Sequence, residues 1–124
     1  NIVTLWNPES DNPANQAFVK NFTDKYNRVP TVYAAQSYDT ARLMLSALEA
    51  TDGSVKDVEA FRAAMRKADF ESIRGDVSFA NNNHLVIDWH LLRVEEDANG
   101  KLVQKPVQVI AEAQVDSFAA ECAM

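Results

Sequence analysis

One cysteine, two histidines and three glycines are all that this 124-residue chain holds of those types, and each scarcity excludes something. Cys122 has no partner within the sequence. Near a terminus, it reads either as a free, partly buried thiol or as half of a pair with a cysteine elsewhere. Gly53, Gly75 and Gly100 stand isolated, so no glycine-rich loop exists to cradle a phosphate. Twelve basic residues against eighteen acidic give a net charge of −6, the wrong sign for a surface that grips nucleic acid. No apolar run reaches the roughly 20 residues of a membrane span. An initiator Met and a signal peptide are also missing, and the opening "NIVTLW" reads as the middle of a strand; the expectation is a piece of something longer. What is present is a hydrophobic content of 47 %, enough for one globular domain with a modest core.

The apolar spacing predicts the elements. "IVTLW" (2–6) reads as a short buried strand. Asn12 before Pro13 is a strong helix start, a capping side chain followed by a proline where its missing N–H costs nothing. That helix should run to about Lys25, burying Phe18, Phe22 and Tyr26 with Ala14, and Pro30 should close the segment. A second helix over about 33–50 should bury Tyr38, Ala41, Met44, Leu45 and Leu48. Ser54, with Asp57 three residues on, predicts a third helix over 54–68, with Val58, Phe61, Met65 and Ala68 inward. After Phe70 the period shortens to two. "GDVSFA" (75–80) and "HLVIDWHLLRV" (84–94) read as strands, the second with Leu85, Ile87, Trp89 and Leu91 on one face. Asn99-Gly100 predicts a hairpin turn, "LVQKPVQVI" (102–110) the returning strand, held to an edge by Pro106, and 115–121 a short helix. One strand followed by three helices has too little sheet to cover, so sheet partners are expected outside the chain.

Chemistry-bearing residues are few. Asp88 and His90 lie two apart in a strand and project from one face, where an aspartate could orient a histidine base for a hydrolase. The plain alternative is a solvated strand face, since no serine or cysteine stands in a nucleophile motif. His84, Asp88 and His90 match no metal-ligand spacing, so neither metal nor cofactor is expected. The second helix opens unusually: Tyr33, Gln36, Ser37, Tyr38 and Asp39 put aromatics and polar groups into its first turns. Tyr38 reads as packing, and Asp39 as structural, tying helix to loop.

The segments "DNPANQAFVKNFTDKYNRVPTVYAAQSYDTARLMLSAL" (11–48) and "FRAAMRKADFESIRGDVSFANNNHLVIDWHLLRV" (61–94) together resemble the C-terminal part of type I periplasmic solute-binding proteins, in the leucine/isoleucine/valine-binding-like branch serving ABC transporters. The specific elements are "NPANQAFVKNF", the P-x-x-Y-A-A-x-x-Y-D run and "IRGDVSF" before a loop and a strand. "DANGKLVQKPVQVI" resembles the end of relatives that take up aromatic acids or branched-chain amino acids. One departure stands out: relatives often carry a glycine after "SF", where this chain has "ANNNH".

The resemblance implies an α/β fold, the C-terminal portion of a two-lobe protein, with three helices, an antiparallel hairpin and an incomplete sheet. Residues 1–74 would belong to the N-terminal lobe, and 75–124 to an inter-lobe crossing, hairpin and terminal helix of the C-terminal lobe. It implies a periplasmic binding protein, not an enzyme, that holds an amino acid or an aromatic or organic acid between its lobes and delivers it to a membrane permease. A ligand-sensing domain of the same fold is the alternative. Tyr33 falls where relatives place an aromatic against the ligand, with Ala34 and Gln36 beside it; Trp6 and Asn7, near a lobe crossing, are further candidates. For Tyr33 the alternative is a staple packed on its own helix. Cys122 would pair with a cysteine upstream. Uncovered apolar faces would favour a homodimer or swapped assembly.

Overall fold

A computed structural model describes residues 1–122. Strand β1 (Ile2–Thr4) leads through a loop into helix α1 (Pro13–Tyr26), followed by α2 (Val32–Ala50) and α3 (Val58–Lys67). Strands β2 (Ser78–Phe79), β3 (Leu85–Glu96) and β4 (Leu102–Gln114) follow, and a 3₁₀ turn spans Ala119–Glu121. β3 is the organising strand, because β1, β2 and β4 all pair with it antiparallel. β1 and β4 both pair with His90–Leu92 and so lie on opposite edges of it.

The first strand is shorter than the apolar run suggests. It ends at Thr4 because Trp6 turns inward, 2 % exposed, into a core with Phe18, Ala35 and Ile73. Its indole N–H donates to Asn15 Oδ1 at 2.7 Å, and Asn15 Nδ2 donates to the carbonyls of Asn7, Pro8 and Ser10. Asn15 is fully buried, and its one side chain shapes the whole 7–10 loop. Asn15→Leu should therefore cost about 1–3 kcal/mol, since it strands a buried indole donor and leaves the loop carbonyls without their partner. Urea titration should show a lower midpoint at unchanged slope; an unchanged midpoint would mean that water replaces the amide without loss.

α1 starts as expected, with Asn12 Oδ1 accepting from the Ala14 and Asn15 N–H groups and Pro13 in the first turn. It ends before Pro30 is reached. Asn27 takes the left-handed conformation (φ 51°) and donates its N–H to Thr23, a geometry asparagine tolerates better than most side chains. The expected stripe is graded: Phe18 is buried, Phe22 half-buried and Tyr26 51 % exposed.

α2 differs most from its expectation. The buried face is Ala35, Asp39, Leu43 and Ala47, whereas Tyr38, Ala41, Met44 and Leu45 are exposed and Leu48 is half-buried. The helix carries two apolar stripes. Within this chain the narrower one, built on small residues, is the one that packs. α3 also starts later than predicted, at Val58. The cap is Asp57, accepting from the Ala60 N–H at 2.9 Å, while Ser54 only turns back to the Lys56 N–H. Val58 is exposed, and Phe61, Met65 and Ala68 are half-buried as the helix packs on α2 and β2.

In β3 the predicted face holds through Ile87, but Leu92, of the opposite parity, is fully buried. Bulges along the β3–β4 ladder, including one between Leu91 and Leu92, shift the register and re-aim the strand. Pro106 sits opposite Leu92 on the edge strand β4, as its missing N–H requires. In the 80–84 turn, Asn83 adopts φ 59°, filling with asparagine the left-handed position that glycine otherwise serves. The predicted 115–121 helix is only the 3₁₀ turn at 119–121.

The hairpin turns over Asp97–Lys101, with Gly100 left-handed (φ 76°) and the Asp97 carboxylate accepting from the N–H groups of Asn99 and Lys101. These two bonds, the Lys101 one first, hold the Asp97 carboxyl below its ordinary pKa. A carboxyl depressed in the folded state contributes stability above its unfolded pKa, about 3.9, and loses it as pH falls through the lower folded value. Carbon-detected NMR should find Asp97 titrating below that reference, with Asn99 and Lys101 amide exchange accelerating in the same acid window. A titration at the ordinary value would remove the carboxylate from the turn's support.

Candidate functional site

The first turn of α2 is capped by Thr31, whose hydroxyl accepts from the Ala34 N–H and whose carbonyl accepts from Ala35. The donors left over in this turn are those of Val32 and Tyr33, at the positive end of the helix dipole. Tyr33 is 76 % exposed, so it is not a staple on its own helix. It stands out beside those donors with an apolar face and a phenolic tip.

Two other candidates share this helix, and two lie in the loop after β1. Ala34 is half-buried and packs on the core that contains Trp6, and Gln36 is half-buried on α2. The Trp6 ring is enclosed in the core, and its one donor is spent on Asn15. The Asn7 side chain accepts from the Glu9 N–H, and its carbonyl takes bonds from Ser10 and Asn15, which commits it to its own turn. Tyr38, expected in the core, is 41 % exposed, with its ring tilted against Phe18 at a centroid distance of 4.7 Å.

Asp39 sits in a built environment. It is 1 % exposed, and its carboxylate accepts from Ser72 Oγ at 2.6 Å, the Ile73 N–H at 3.0 Å and Arg74 Nε at 2.7 Å. The Arg74 side chain is itself only 9 % exposed. The sequence assigned Asp39 to a tie between helix and loop; the partners, Ser72 and Arg74, were not identified from it. The signal available was Arg74 next to Gly75 in "IRGD", a charge placed just before a left-handed glycine (φ 91°). A cleft of about 470 Å³ opens beside this anchor between α2 and β3, with Leu43, Phe70, Arg74, Phe79 and Trp89 among its walls.

Asp88 and His90 do not form a dyad. Asp88 Oδ1 accepts from the Ala113 N–H at 2.8 Å, where β4 bulges and Ala113 is left-handed (φ 43°). Partial burial holds the His90 pKa below its ordinary value, and the Asp88 charge only partly offsets this. His84 is separate from both. Its Nδ1 pairs with Asp116 at 2.7 Å, and Asn82 donates to the same carboxylate. The Phe118 N–H is the main cause of the lowered Asp116 pKa. Among the described residues no group of three or more metal-ligating side chains comes together, and no helix is long and apolar enough to cross a membrane. Cys122 is exposed.

Residues 1–101 match the family described as periplasmic binding protein. A solute-binding protein of an ABC transporter from R. palustris, solved with benzoate, is 31 % identical; the match covers 93 % of this chain and 31 % of that one, with a TM-score of 0.81. One from Rhodopseudomonas palustris HaA2, solved with p-hydroxybenzoic acid, is 28 % identical over 97 % of this chain and 33 % of that one, with a TM-score of 0.76. A leucine binding protein from Thermotoga maritima MSB8 is 26 % identical over 87 % of this chain and 29 % of that one, with a TM-score of 0.70. No curated protein matches the sequence. The chain thus spans about a third of the length of the solved structures it resembles.

Proposed function

Because the chain belongs to the periplasmic binding protein family, we propose that it forms part of an extracytoplasmic solute-binding protein of an ABC uptake transporter. In this reading the protein holds a small carboxylate ligand, an amino acid or an aromatic acid, between two lobes without chemical turnover, and hands it to a membrane permease from the periplasm. Residues 1–74 would sit with the N-terminal lobe and 75–124 with the crossing and the C-terminal lobe. The observation that carries the reading is Tyr33. In a chain of this family, a largely exposed tyrosine stands beside the free N–H groups of a helix N-terminus, a pairing suited to a ligand's carboxylate and apolar body. Ala34 and Gln36 would support it from the same helix. The benzoate and p-hydroxybenzoate complexes of similar proteins point to the aromatic-acid side of the ligand class.

A thermal-shift screen of the full-length protein against benzoate, 4-hydroxybenzoate, leucine, isoleucine and valine tests this. A ligand that binds only the native state raises stability by about 2.7 kcal/mol at a hundred times its Kd. A clear upward shift with one of them is the expected result; flat melting curves with all five at millimolar concentration would overturn the reading. Val107, Val109, Ile110 and Val115 are exposed along and just beyond β4, and Leu45 and Met44 along α2. Taken by itself, the segment should therefore associate as a homodimer or a swapped assembly.

A further inference from the structure

Loop 72–74 is where three segments are fastened together. Asn12, at the start of α1, donates through Nδ2 to the Ser72 carbonyl at 2.9 Å. Asp39, from the second turn of α2, takes bonds from Ser72, Ile73 and Arg74. Ile73, 1 % exposed, packs into the same core as Trp6, Phe18 and Ala35. α2 is therefore tied to this loop at two places, at Ala35 through the shared core and at Asp39 by hydrogen bonds. The two are four residues apart and lie one turn above the other on a single face. A helix held at two such points is fixed both along and around its axis. Tyr33 lies six residues before Asp39, about 9 Å along that axis at 1.5 Å per residue, and the intervening helix is unbroken.

We propose that Asp39 is a positioning residue for ligand binding: by fastening loop 72–74 to α2, it sets the direction in which the first turn of that helix presents Tyr33. The inference rests on the ligand-binding reading above. The carboxylate meets no ligand itself. It has all its oxygen contacts within the chain, and its effect on affinity passes through the setting of α2. A contact turn that loses this setting still binds, but each encounter must then select the correct helix orientation from several.

The test measures affinity by calorimetry in the full-length protein, well below melting, with benzoate, 4-hydroxybenzoate and leucine as probes. The variants are Asp39→Asn, Ser72→Ala and Leu92→Ala. Leu92 is fully buried in β3, outside the walls of the cleft beside Asp39 and without a bond to loop 72–74, so its truncation lowers stability without touching the fastening. Asp39→Asn should weaken binding about tenfold and Ser72→Ala about threefold, while Leu92→Ala stays within about twofold despite its lost stability. The positioning role is overturned by wild-type affinity in Asp39→Asn, or by an equal loss in Leu92→Ala. Should Asp39→Asn not fold, Ser72→Ala against Leu92→Ala decides alone. A wild-type protein that binds none of the probes removes the ligand-binding reading first, before any variant is made, and this inference with it.

Discussion

Asp39→Ala should destabilise the full-length protein by about 3–5 kcal/mol, the cost of breaking a buried ion pair from one side. The carboxylate is 1 % exposed and the Arg74 side chain 9 %. Removing the carboxylate leaves a guanidinium charge in a poorly solvated place and strips the Ile73 N–H and Ser72 hydroxyl of their acceptor. Each stranded group adds a desolvation penalty to the loss. The size of the effect therefore comes from what remains behind rather than from the strength of the pair. A double variant separates the two contributions. Asp39→Leu with Arg74→Met removes both charges together, and it should recover a substantial part of the single variant's loss, because an apolar pair of similar volume often replaces a buried ion pair at little cost. Equilibrium unfolding in urea for the two proteins gives the comparison. A loss below about 1 kcal/mol for Asp39→Ala would place the pair with ordinary surface salt bridges.

Tyr33→Ala should weaken ligand binding by about 1–3 kcal/mol, the scale of losing an aromatic wall from a desolvated pocket, with little change in the unfolding midpoint. The small stability effect follows from its 76 % exposure in this chain. Tyr38→Ala should show the reverse pattern, in a milder form than a fully buried ring would give. Its ring contacts Phe18 at 4.7 Å but remains 41 % exposed. Isothermal calorimetry paired with denaturant midpoints on both variants separates the two positions. If Tyr33→Ala bound benzoate or leucine as tightly as the parent and melted early, the exposed first turn of α2 would be a cap and nothing more.

The elements of the fold were legible wherever one local rule acted alone. Asn12-Pro13 places the start of α1, and Asn99-Gly100 places the hairpin turn, because capping and turn chemistry are settled within four residues. The packing face of α2 was not legible. Periodicity finds both of its apolar stripes, and by apolar size the Tyr38–Leu45 stripe is the stronger. Asp39 in the middle of the other stripe argues against burial until Arg74, thirty-five positions later, neutralises it. The parity change in β3 at Leu92 was hidden for a related reason: a bulge depends on the facing strand, and Pro106 of β4 sits opposite. At the candidate site, the P-x-x-Y-A-A-x-x-Y-D run draws attention to Tyr33, and its 76 % exposure lies beyond what periodicity reads. For Trp6 the sequence leaves its surroundings open, because a tryptophan at a strand exit looks the same whether it faces a cleft or a core. Its bond to Asn15, nine residues on, is not legible from periodicity.

Asn12 does two jobs with the two ends of one amide. Its oxygen closes the first turn of α1, and its nitrogen reaches the Ser72 carbonyl sixty residues away. Aspartate, serine or threonine can accept from the helix N–H groups equally well. None of them serves both ends: aspartate would set a negative charge against a carbonyl oxygen, and the hydroxyl residues are too short to span both partners. The set of amino acids that evolution can try at this position is therefore narrower than helix capping alone allows. A saturation library at position 12 should return asparagine almost alone, whereas at Thr31, whose side chain serves only its own helix, the usual range of capping residues should survive.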